Sequence, residues 1–105
     1  MNIFKRIKAS LRLMEAIRKA DFAHKQNGVR YYVMPTTGNS GQLIIMDRSA
    51  FRKLKQKNYI RQNTFVKDLE AQCFYCTSYK NGNGALSPEV AEAKRLMYLA
   101  WINQL

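Results

Sequence analysis

The stretch Val29-Arg-Tyr-Tyr-Val-Met34, stopped by Pro35 and followed by Thr36-Thr-Gly-Asn-Ser-Gly41 and then Gln42-Leu-Ile-Ile-Met46, decides the fold. Both outer runs are rich in β-branched and aromatic residues, and a short glycine-containing polar loop separates them. That pattern reads as a β-hairpin. Asp47 comes next, and its carboxylate suits an N-cap, accepting the free backbone N–H groups of a short helix that begins at Arg48 and ends near Asn58. Only Phe51 and Leu54 give that helix an apolar face, so most of its circumference faces water or a partner.

Upstream of the hairpin, residues 3 to about 26 read as a helix. Ile3, Ile7, Leu11, Met14 and Ile17 recur at spacings of three and four, with Phe4 and Phe22 on the same side. Asn27-Gly28 ends it, since glycine accepts the left-handed conformation of a helix C-terminus. This long apolar stripe is expected to pack on the core, because a domain this small has little apolar surface to spare. Lys5, Lys8, Arg12 and Lys19 fall together away from the stripe, whereas Arg18 sits within it and is expected at an edge or beside a partner.

Downstream, residues 64–72 suggest a helical turn or two capped by Thr64, with an extended conformation as the alternative. The run Cys73-Phe-Tyr-Cys-Thr-Ser-Tyr79 reads as a third strand by its β-branched and aromatic content. Asn81-Gly-Asn-Gly84 is an exposed loop by composition. Ser87-Pro88 opens a last helix, serine as cap and proline at the first helical position. Val90, Ala93, Met97, Ala100 and Trp101 share one face of it, and Leu96, Leu99 and Ile102 make its second half apolar nearly all round. The order α-β-β-α-(α)-β-α predicts an α+β fold, a small three-stranded antiparallel sheet packed with N- and C-terminal helices, in one domain spanning residues 1–105.

The chain is 47% hydrophobic and 24% charged, too apolar for a disordered polyelectrolyte. No apolar run approaches the ~20 residues that cross a bilayer, and lysine and arginine interrupt the N-terminal segment where a signal peptide needs an apolar stretch. An intracellular, cytoplasmic protein is the expectation. The net charge is +11, and residues 1–61 hold fourteen Lys/Arg against three acids, while residues 62–105 hold four of each. An excess confined to one part of the chain points to a one-sided positive field if those segments lie together.

Few residues offer catalytic chemistry. His24 is the single histidine, and in the last turns of a helix it reads as a polar surface residue. A small basic ribonuclease acting through His24 is the weakest of the functional readings. The acids are sparse and unpaired, and Thr36–Gly41 joins two strands where a phosphate-binding loop would run from strand to helix. Cys73-Phe-Tyr-Cys76 has the spacing of half a zinc site or of a thiol–disulfide centre. On a strand, residues three apart point to opposite faces, so the pair reads as two buried, independent thiols. No cofactor and no metal is called for, and no enzyme is expected.

The basic surface remains. Arg48, Arg52, Lys53, Lys55 and Lys57 of the second helix, with Lys5, Lys8 and Arg12 of the first, are candidates for phosphate contacts to DNA or RNA. Tyr31, Tyr32, Phe74, Tyr75 and Tyr79 offer base stacking wherever they face outward. The main alternative is an interaction or structural subunit whose basic side meets an acidic protein and whose apolar helix surface packs on another chain. An anionic membrane surface meeting the first helix is a third reading, and the core's need for the apolar stripe argues against it. The sequence sets no oligomeric state.

Overall fold

The computed structural model describes residues 2–38, 40–60 and 62–105, so Asn39 of the hairpin loop and Arg61 lie outside it. Its elements are α1 (Ile3–Asn27), β1 (Tyr32–Pro35), β2 (Leu43–Met46), α2 (Arg48–Gln56), a 3-10 turn (Val66–Asp68) leading into α3 (Leu69–Gln72), β3 (Tyr75–Cys76) and α4 (Pro88–Asn103). The strands form one antiparallel sheet in the order β2-β1-β3, with Val33 opposite Ile45 on one side and Tyr75 on the other. The fold is α+β.

Local chemistry sets the helix ends. Asn2 accepts the Lys5 N–H at 2.8 Å, Asp47 Oδ1 accepts that of Ala50 at 2.8 Å, and Ser87 Oγ accepts that of Val90 at 3.2 Å. Each side chain satisfies a donor that has no carbonyl partner in the first helical turn. Gly28, at φ 75°, closes α1 by donating its N–H to His24 O. Gly41 is required for a different reason: a Cβ there would lie 2.5 Å from the Ile102 side chain, where α4 presses on the hairpin loop.

The central strand β1 is buried along its whole length, and its period of two divides the core between two faces. Val33 joins Ala9, Leu13, Ala16 and Ala20 of α1 and Tyr98, Trp101 and Ile102 of α4. Tyr32 and Met34 point the other way, into a cluster with Met46, Phe51, Ile60, Leu69 and both cysteines. The terminal helices therefore cover one face of the sheet, and α2 with the α3 segment covers the other.

Four local expectations change. The α1 residues that pack inward are three alanines and Leu13, and the large apolar side chains of the predicted stripe stand in solvent except Ile17, which packs partly against the core. Alanine lets the helix backbone approach the sheet closely, so the inward face is chosen by fit rather than by side-chain size. Thr64 caps nothing: it is buried, its hydroxyl hydrogen-bonds Gln72 Oε1 at 3.1 Å, and the turn it precedes has no side-chain cap. The third strand shrinks to two residues because Cys73 still closes α3, its N–H reaching Leu69 O at 2.9 Å, and because the chain turns back at Tyr79, which donates to Asn83 O. In α4 the buried face is Lys94, Tyr98, Leu99, Trp101 and Ile102, and of the predicted face Val90, Ala93, Met97 and Ala100 are exposed. Lys94 takes a core position because its ammonium donates to Glu70 O at 2.6 Å and Cys73 O at 2.9 Å, at the carbonyl end of α3.

Candidate docking surface

The outward face of α1 carries Ile3, Phe4, Ile7, Leu11, Met14 and Phe22, each exposed over at least half of its area, with Phe4 at 80%. At 3.6 residues per turn this sector lies roughly opposite the Ala9, Leu13, Ala16 and Ala20 face. The helix is amphipathic twice over: small residues meet the sheet, large apolar residues meet solvent. Phe4, Ile7, Leu11 and Met14 alternate at spacings of three and four, the spacing of a helix–helix seam, and Arg18 continues the same line. Arg18 is exposed, and it needs no buried partner because the stripe it interrupts is itself in water.

The stripe has two different borders. On one side Arg12 and Lys19 line a cleft with Gln42–Ile45 of the edge strand, and Lys5, Lys8 and Arg12 line a second with Ser40 and Ile102. Arg12 Nη1 donates to Ser40 O at 2.9 Å, tying α1 to the hairpin loop. The other border opens onto an apolar groove between α1 and α4, with a cavity of about 420 Å³ lined by Leu13, Met14, Ile17, Phe74, Ala91 and Leu99 among others. A basic rim, a convex apolar ridge and a concave apolar groove thus run side by side.

The eight basic residues singled out in the sequence divide between two layers. Lys5, Lys8 and Arg12 stand over the first face of the sheet, and the α2 set stands over the second. Arg52, Lys53 and Lys57 are exposed, Arg48 lies beside the Tyr32 hydroxyl, and Lys55 Nζ sits 3.7 Å from the centre of the Phe65 ring. Among the described residues the ion pairs are Lys19–Glu15, Arg30–Glu70 and Arg95–Glu92, so none of the eight has an acidic partner.

Of the five aromatic residues Tyr79 is exposed and Tyr31 and Tyr75 are half-buried, but each has a partner within the protein. Tyr32 and Phe74 are buried, Tyr75 donates to Asp21 Oδ1 at 2.7 Å, Tyr31 accepts from Asn27, and the Tyr79 ring lies 4.2 Å from the Arg30 guanidinium. His24 is also held, Nδ1 at 2.8 Å from Val29 O and Nε2 at 3.3 Å from Ser78 Oγ. Among the described residues no group of three or more His, Cys, Asp or Glu is placed to hold a metal, and no helix is long and apolar enough to cross a membrane.

Cys73 and Cys76 are buried as the sequence suggests, but they are not independent. Cys73 precedes the strand, so the alternation rule does not separate the pair: both enter the same cluster, where the Cys73 thiol donates to Glu70 O at 3.3 Å. Arg30, a residue of the Val29–Met34 run that carries no signal of its own in the sequence, is buried beside them with Nη2 2.9 Å from Cys76 Sγ. The Cys73 thiol is pushed up by the neighbouring Cys76 sulfur and by burial. Cys76 is lowered to about 6, chiefly by the neighbouring Cys73 thiol and then by Arg30, against the effect of burial.

Comparison of the chain with protein-family models, with curated proteins and with solved structures returned no match.

Proposed function

We propose that this protein is a non-enzymatic docking subunit whose outward α1 face receives an amphipathic helix of an acidic protein partner. The observation that carries this reading is the exposure of six large apolar side chains on the face of α1 opposite its core contact. Together they amount to several hundred Å² of apolar surface, on the order of the ~800 Å² that one partner contributes to a standard interface and more than isolated surface residues supply. Seam spacing along the ridge and the concave groove beside it suit a helix with side chains to insert. Lys5 and Lys8 beside the ridge, and Arg18 within it, favour acids at the partner's flanks, while Lys19 is paired with Glu15. A second copy of the chain is a poorer occupant, since it brings another +11 and a second Arg18 to the same seam.

The test uses a labelled synthetic helix of about 25 residues with leucine along its seam and glutamate at its flanks, and a lysine-flanked counterpart. The acidic helix binds in the micromolar range, roughly −8 kcal/mol, the lysine helix at least tenfold more weakly, and Leu11→Asp abolishes binding while far-ultraviolet dichroism stays unchanged. Equal binding of both helices, or binding retained in Leu11→Asp, contradicts the proposal. Phosphatidylserine vesicles captured in place of the acidic helix would instead make an anionic lipid surface the occupant.

A second reading, phosphate contacts to DNA or RNA through α2, is favoured by the exposed and unpaired Arg52, Lys53 and Lys57. It predicts binding of a duplex at ~50 mM salt that falls steeply as salt rises, survives Leu11→Asp and is lost on charge reversal at Lys53 and Lys55. No binding below ~10 μM protein at that salt ends this reading.

A further inference from the structure

Arg30 has a side chain only 4% exposed, yet among the described residues its ion-pair partner is Glu70 at 3.8 Å, itself 65% exposed. Nη2 contacts Cys76 Sγ at 2.9 Å and Gly84 O at 3.2 Å, while Nε and Nη1 have no hydrogen-bond partner. A guanidinium cannot lose its proton to relieve burial, so it needs a negative neighbour. The sulfur in contact is the group that supplies one. We propose that Cys73 and Cys76 form a redox-active dithiol, in which Arg30 holds Cys76 as the attacking thiolate, Cys73 is the resolving thiol, and a small peroxide is the oxidant.

The groups facing Cys76 come from every packed element: Arg30 and Tyr32 from the β1 side, Lys94 from α4, Cys73 from the end of α3, Tyr75 from its own strand, with Tyr79 and Glu70 facing Arg30. Both cations and the neighbouring Cys73 thiol favour the thiolate. Cys73 keeps its proton beside that charge, which leaves one sulfur ready to attack and the other ready to follow. In the first step the Cys76 thiolate forms an S–O bond to the peroxide as the O–O bond breaks, giving a sulfenic acid and hydroxide. In the second, the Cys73 sulfur forms the S–S bond, its proton joins the departing hydroxyl, and water leaves. Two electrons pass from the two sulfurs to the peroxide. Cys73 and Cys76 are 0% and 1% exposed, so only a small oxidant can reach them, and Tyr79 and Gly84, from an exposed turn, are groups that cover Arg30.

The experiment treats the native protein with millimolar hydrogen peroxide and follows mass and peptide map. The expected product has lost two hydrogens through a Cys73–Cys76 disulfide that dithiothreitol reverses, and Cys73→Ser halts at a dione-trapped sulfenic acid. Oxidation rate is half-maximal near pH 6 and flat across pH 7–9, where an ordinary thiol, near pKa 8.5, would still be gaining rate. Arg30→Met slows the reaction at least tenfold at pH 7 and moves the midpoint upward. If that variant does not fold, the wild-type pH profile decides alone. Thiols that react only after unfolding, a midpoint at or above about 8.5, or a disulfide between chains overturns the proposal.

Discussion

Helices α1 and α2 lie against opposite faces of one sheet and use their apolar residues in opposite ways. In α2 the apolar and the buried residues coincide: Phe51 is 1% exposed, Leu54 packs beside it, and the basic side chains ring the remainder. In α1 they part company, for Leu13 is 3% exposed and Leu11, two residues away, is 59% exposed. The short helix has a single way to bury apolar area. The long one has two apolar faces, and the sheet takes the one whose alanines admit close approach. A large apolar sector left over from that choice is surface with another purpose, and the basic residues bordering it indicate the sign of what it meets.

Breaking the comparison begins with the residues both helices truly bury. Phe51→Ala should lower stability by about 3–5 kcal/mol and Leu13→Ala by about 2–5 kcal/mol, read from urea unfolding, since each leaves a cavity in a different half of the core. A small loss at Leu13 would mean that α1 packs on its other face. Next comes Ala20→Leu, a gain of apolar volume that should nevertheless cost about 1–3 kcal/mol, because Ala20 is fully buried where helix and sheet approach closely. Stabilisation by that substitution would show slack in the α1 contact. The smallest effect expected in α2 is Asp47→Ala, about 1 kcal/mol in thermal or urea unfolding, from loss of the 2.8 Å bond to the Ala50 N–H.

What the sequence makes legible is the chemistry that acts over a few residues. The hairpin, the Asp47 and Ser87 caps, the glycine stop of α1 and the narrow Phe51–Leu54 face are decided by neighbours along the chain and are present, although the first strand runs over Tyr32–Pro35, with Pro35 its last paired residue, and not over Val29–Met34. What is hidden depends on residues far apart. Lys94 reads as a surface lysine until the carbonyls of Glu70 and Cys73 arrive at its ammonium, and Arg30 meets Cys76 across 46 residues. The candidate surface shows the same division. Its basic residues were visible from composition, whereas periodicity alone made the apolar stripe of α1 look like core, since a helical wheel gives the angle between two faces and not which of them the sheet will take.

Leu11→Gln tests the division of α1 most directly, because glutamine keeps the helix propensity and shape of the position while removing its apolar end. In urea unfolding the stability should stay within about 0.5 kcal/mol of wild type, as for an exposed site. A loss of about 2 kcal/mol or more, the scale of a truncated buried leucine, would return the stripe to the core and remove the docking surface with it.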